Sequence, residues 1–115
     1  MTKPIVVEPE ALADLAAAVE WYEEQSAGHG IALATDAEAR VNALAQPSSS
    51  GSPVPGIAKG RPIRRVFLEA YPYAVIYVET DEAIHVIAFA HLKRRPLYWR
   101  RRVTSFVAGG RPKKP

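Results

Sequence analysis

At 115 residues, 48% of them hydrophobic, the chain suffices for one domain with a modest core, and with no cysteine neither a disulfide nor a thiolate metal site can staple it. No run approaches the ~20 apolar residues needed to span a bilayer, and the N-terminus lacks the apolar stretch of a secretory signal, so a cytoplasmic protein without a membrane partner is expected. The net charge of +3 conceals an asymmetry: residues 1–50 carry two basic and eight acidic groups, residues 51–92 four of each, and residues 93–115 nine basic groups and no acid. Sign asymmetry of this kind points to a polyanion or an acidic protein segment as partner.

Along the chain, Ile5-Val6-Val7 is β-branched and predicts a brief first strand. Pro9 and Glu10 suit the first turn of a helix over residues 10–25, where Leu12, Leu15, Ala16, Val19 and Tyr22 recur at three- and four-residue steps. Residues 26–30 (Ser-Ala-Gly-His-Gly) break it. A second helix over 31–45 carries a narrower stripe of Leu33, Ala37, Val41 and Leu44, so the pair forms an antiparallel hairpin. The Pro/Ser/Gly-rich stretch 46–56 predicts a mobile loop with nothing to bury.

Three strands are then expected at 63–68, 74–78 and 84–91, with Thr80-Asp81-Glu82 turning between the last two. The third is apolar throughout, and alternation puts Val86, Ala88 and Ala90 on one face and Ile87 and Phe89 on the other. A strand buried on both faces is central, between the second strand of the trio and Ile5–Val7. The order β-α-α-β-β-β predicts an α+β fold, with the helical hairpin on one face of a four-stranded, mainly antiparallel sheet. One domain is expected over residues 1–104, followed by a disordered basic tail at 105–115.

The apolar third strand runs straight into residues 91–102, His-Leu-Lys-Arg-Arg-Pro-Leu-Tyr-Trp-Arg-Arg-Arg, which hold six cations in twelve positions. Folding does not require that density of repelling charge, so an anionic partner is expected there. The candidate surface is Arg64, Arg65, His91, Lys93, Arg94, Arg95, Tyr98, Trp99, Arg100, Arg101 and Arg102. Arg64 and Arg65 are neighbours on a strand and face opposite sides: one is expected to pair with the acidic helices, the other to serve a partner. Trp99 reads as packing over the open sheet face. His29, His85 and His91 are too scattered to predict a metal, and no cofactor is expected.

Four stretches, in this order, resemble the RelE/ParE toxins of type II toxin–antitoxin systems, also called plasmid stabilisation proteins. They are residues 11–25 (Ala-Leu-Ala-Asp-Leu…Trp-Tyr-Glu-Glu-Gln), Leu44-Ala45-Gln46-Pro47, residues 64–77, which resemble an "R…FPY-x-V-x-Y" strand pair, and residues 86–102, which fit "V-x-A-x-x-H-x-x-R-x-P-x-Y-W-x-x-R". The resemblance implies a growth-inhibiting toxin held silent by a small antitoxin in a hetero-oligomer. RelE-like members cleave messenger RNA on the ribosome, whereas ParE-like members poison DNA gyrase and do no chemistry. The acidic hairpin with Trp21-Tyr22 and the terminal Pro-x-Tyr-Trp resemble the ParE side. A nuclease would draw on Arg65, His91, Arg94 and Tyr98, with neighbouring arginines lowering a tyrosine or histidine pKa. The lysines of the RelE nucleases are missing, Lys59 alone lying nearby in the loop. A binding protein that is not an enzyme is therefore expected; a relic that binds only its antitoxin is the remaining alternative.

Overall fold

In the computed structural model, residues 3–46, 51–57, 63–107 and 111–112 are described. Strand β1 (Ile5–Val7) leads into helix α1 (Pro9–Gln25). Pro9 stands in the first turn, where its fixed φ suits the helix and its missing N–H leaves no bond unmade, and Glu10 complements the helix dipole. Ala11 and Ala18 are its buried residues, with Leu15, Val19 and Tyr22 packed beside them. The core face is thus rotated from the expected stripe: Leu12 stays 57% exposed. Two alanines let the helix lie closer to the sheet than larger side chains allow.

Helix α2 (His29–Ala43) buries Gly30, Leu33, Ala37 and Val41, and Leu44 just beyond it, as the stripe predicts. The turn depends on glycine. Gly28 adopts φ 94°, and a Cβ on Gly30 would stand 2.6 Å from the Val19 carbonyl oxygen. The amides of Gly28 and Gly30 both donate to the Glu23 carboxylate at 2.9 Å. These bonds hold that carboxyl below its usual pKa.

The sheet contains β2 (Ser52–Pro53), β3 (Ile63–Phe67), β4 (Tyr73–Glu79) and β5 (Ile84–His91), in the order β1-β5-β4-β3-β2. β1 runs parallel to β5 and every other pair is antiparallel. The α+β order and the central place of β5 follow the expectation; the strand count does not. β2, within the stretch expected to be a mobile loop, makes a fifth strand, pairing Ser52 with Arg65 and Pro53 with Arg64. An edge position tolerates the missing N–H of Pro53. Val54, the next residue, is buried, so the stretch does contribute to the core. Residues 47–50 of that loop, 58–62 after it, and 108–110 and 113–115 of the expected tail lie outside the described residues.

The faces of β5 differ from simple alternation. Ile76 pairs with Ala88 and Tyr77 with Val86, which leaves Ile87 as an extra residue in a β-bulge. The bulge inverts the side-chain parity. Val86 and Phe89 face the helices, while Ile87, Ala88 and Ala90 face the opposite side. That side is itself covered, because Trp99 and Val103 pack there with Val54, Ile63 and Ile76. A 3-10 helix (Arg100–Ser105) follows, then β6 (Phe106–Val107) paired antiparallel with β7 (Arg111–Pro112).

Candidate functional site

The site grows from a short strand. β1 ends opposite Val86, where the Glu8 amide donates to the Val86 carbonyl. Among the described residues the outer edge of β5 beyond that point has no strand partner, and its polar backbone groups need other ones. Side chains from two distant elements supply them. Asp14 of α1 accepts from the Phe89 amide at 3.2 Å, and Arg102 donates to the Ile87 carbonyl at 2.9 Å. The two also meet each other: Arg102 donates to both Asp14 oxygens at 2.7 and 3.2 Å, a forked charge-assisted pair. The Tyr98 hydroxyl donates to the same carboxylate at 3.0 Å.

This knot sets the chemistry of Tyr98. Burial, then the charge of Asp14 and the hydrogen bond to it, push the hydroxyl up to about 12, against the opposing pull of Arg94 and Arg102. The expected lowering by the arginine cluster is therefore reversed. Burial and Tyr22 likewise raise Tyr73. His91 accepts the Lys93 amide at Nδ1, 3.0 Å away, so the neutral ring carries its proton on Nε2. Its ring meets Tyr73 edge-on, with centroids 5.1 Å apart.

Besides His91 and Tyr98, the candidate residues divide three ways. Trp99 is 3% exposed and belongs to the core, and Arg102 is tied to Asp14, so both act through the fold. Arg64 and Arg65 face opposite sides, as expected. However, Arg64 donates to the Gly51 carbonyl at 2.8 Å and not to an acid of the helices, because its strand lies beside the β2 edge and away from α1. Lys93, Arg94, Arg95, Arg100 and Arg101 are exposed together just beyond the end of β5. The Arg94 guanidinium lies 3.7 Å from the Tyr98 ring centroid, a cation–π stack that holds it in place.

His91 and Arg94 border two concavities. One, of about 260 Å³, lies on the face covered by Trp99 and also takes in Arg65 and Arg95. The other, of about 370 Å³, lies against α1 and is lined by Ala17, Trp21, Tyr22 and Tyr73. Trp21 is 55% exposed and packs edge-on against Tyr22. Exposed aromatic and arginine side chains around a hollow are the composition of a protein-binding hot spot. The sequence marks Trp21 and Tyr22 through the helix and the ParE resemblance but not as the wall of a hollow, and nothing in it distinguishes Asp14 from the solvated acids nearby. His29 sits beside Tyr71 and His85 beside Glu8, and among the described residues no three potential ligands gather for a metal.

The family model of the ParE toxin of the type II toxin–antitoxin system parDE matches residues 5–96. Among solved structures, one described as the chromosomal ParDE toxin–antitoxin system from P. aeruginosa matches with a TM-score of 0.67 and 19% identity, over 80% of this chain and 98% of that one. This is likeness of fold. No curated protein matches. With the family model spanning β1 to the cationic segment, the chain belongs to the ParE toxin family of type II toxin–antitoxin systems.

Proposed function

We propose that this chain is a cytoplasmic toxin that arrests bacterial growth by binding a large protein target, DNA gyrase by analogy with ParE, and that an acidic antitoxin neutralises it by covering the basic corner. One observation carries the reading. Lys93, Arg94, Arg95 and Arg100 stand exposed in one short segment, and among the described residues none has an acid partner. An acidic segment laid across them relieves their repulsion and steers association. The aromatic hollow beside α1 adds apolar anchors to that charge.

The ribonuclease alternative draws less support. Tyr98 gives its proton to a hydrogen bond with Asp14 and ionises only in strong alkali, and His91 has Nδ1 occupied by a backbone amide. Tyr98 is therefore not poised as the acid or base of strand cleavage near neutrality, and the His91 nitrogen that carries the ring's lone pair is already engaged by a backbone amide. The test is induced expression in a bacterium. A DNA-damage response with growth arrest supports gyrase as target, rapid message decay supports the nuclease, and unimpeded growth supports a relic.

A further inference from the structure

We infer that the hollow of about 370 Å³ against α1 is half of a self-complementary surface, and that in the absence of an antitoxin its occupant is Trp21 from a second copy of this chain. The hollow exists because α1 presents Ala17 and Ala18 to it, and these short side chains leave room in front of Tyr73 and Phe89. Trp21 borders the same hollow and is 55% exposed, so knob and hole lie on one patch. Two identical copies that meet across a two-fold axis require that coincidence, because the same patch must supply both halves of the contact.

The charges on the patch are arranged in the same way. Glu20 precedes Trp21 and Glu24 follows it by one turn of α1, and both are exposed. Arg94 stands on the opposite wall, where the nearest acid, Asp14, is already forked to Arg102. Glu20, Glu24 and Arg94 have no ion-pair partner among the described residues. A tryptophan entering the hollow from a second copy brings its flanking glutamates against Arg94, and the two-fold axis repeats that contact in reverse. Both contacts then join opposite charges. The chain as a whole has the same polarity, with eight acidic and two basic groups in residues 1–50 against nine basic groups and no acid in residues 93–115. Two enclosed tryptophans bury on the order of 300–500 Å². That falls well short of the roughly 1,200–2,000 Å² of a stable interface, so the pair is weak and the rims must contribute the rest. Such a dimer covers Arg94 in the free protein and gives way to an antitoxin that binds more tightly. The inference does not depend on gyrase as the target, and its failure leaves the toxin reading standing, since growth arrest is measured separately.

The experiment is sedimentation equilibrium of the full chain without antitoxin, from about 1 to 200 μM, with melting temperatures as the control for folding. The expected result is a reversible dimer with a Kd on the order of 10 μM, which Trp21→Ala weakens about tenfold or more. Arg94→Glu, and separately Glu20→Lys with Glu24→Lys, are each expected to be monomeric, because both contacts then set like charges together. Mixing these two variants in equal amounts is expected to restore a dimer of one copy each, since both contacts again join opposite charges. Arg94 and the two glutamates are exposed, and Trp21→Ala carries the test if a charge variant fails to fold. A parent that stays monomeric throughout, leaving the hollow to an antitoxin or target alone, overturns the proposal. So does a dimer that Trp21→Ala and both charge variants leave as tight as the parent's, or a mixture of folded charge variants that fails to associate.

Discussion

Asp14 and Arg102 are 88 residues apart in the chain and 2.7 Å apart in the fold. Their pair joins the first helix to the 3-10 helix across the outer edge of β5, with 9% and 17% of the respective side chains exposed. It holds in register the segment that carries Lys93, Arg94, Arg95, Arg100 and Arg101. The relationship is therefore structural first, and functional through what it positions.

Removing one partner strands the other as a buried charge. Asp14→Ala is expected to destabilise the protein by about 3–5 kcal/mol, whereas Asp14→Ala with Arg102→Met should recover much of that loss. Tyr98→Phe removes one hydrogen bond to the same carboxylate and should cost about 1 kcal/mol. Urea denaturation of the three variants beside the parent measures all of these. A double variant no more stable than Asp14→Ala would show that the charge pair is not the source of the effect.

Tyr98 should report on the same knot through pH. Its folded pKa of about 12 exceeds the ordinary value of 10.0, so the folded state favours the protonated hydroxyl. The stability this contributes is complete below pH 10 and is lost as the pH rises toward 12. Spectrophotometric titration should show a late tyrosine step near 12 that Tyr98→Phe abolishes. Ionisation of all five tyrosines in one step with the fold intact would contradict the burial of this hydroxyl.

The helical hairpin should be sensitive at Gly30 and Glu23. Gly30→Ala forces a Cβ toward the Val19 carbonyl and the Glu23 side chain, and overpacking of this kind costs about 1–3 kcal/mol. Glu23 has a lowered folded pKa, so its contribution is present above the ordinary value of 4.5 and is lost as the pH falls through the folded value. Thermal melts of Glu23→Gln should show a shallower decline below that pH than the parent does.

Growth arrest separates surface from chemistry. His91→Ala and Tyr98→Phe are expected to leave toxicity largely intact, since a spread binding surface loses little with either. Replacing Arg94, Arg95 and Arg100 with Glu should abolish capture of a co-expressed cognate antitoxin while the melting temperature holds. If His91→Ala or Tyr98→Phe alone silences a folded, antitoxin-binding protein, a catalytic mechanism takes the place of the binding one, because loss of a general base costs about 10²–10⁴-fold in rate.

Much of this protein is legible in its sequence because the deciding signals are local. Pro9, the glycines around residue 28, the stripe of α2 and the unbroken apolar run of β5 each govern their own stretch of backbone. The charge asymmetry is read from where the charged residues fall along the chain, and the run of cations after β5 marks the basic corner by itself. Tertiary structure decided what no local pattern encodes. The bulge at Ile87 depends on pairing with β4, and it inverts the faces of β5 from there on. Ser52–Pro53 becomes a strand only because β3 offers an edge to it. Asp14 looks like any solvated helix acid until β1 stops opposite Val86, the described residues offer no further strand to the β5 edge, and α1 carries a carboxylate to it. Arg102, one of six cations in the run, is drawn onto the β5 edge by that same carboxylate. Periodicity reports which residues prefer to be buried, whereas the partner of a buried charge is settled by which chain segments the fold brings within about 3 Å.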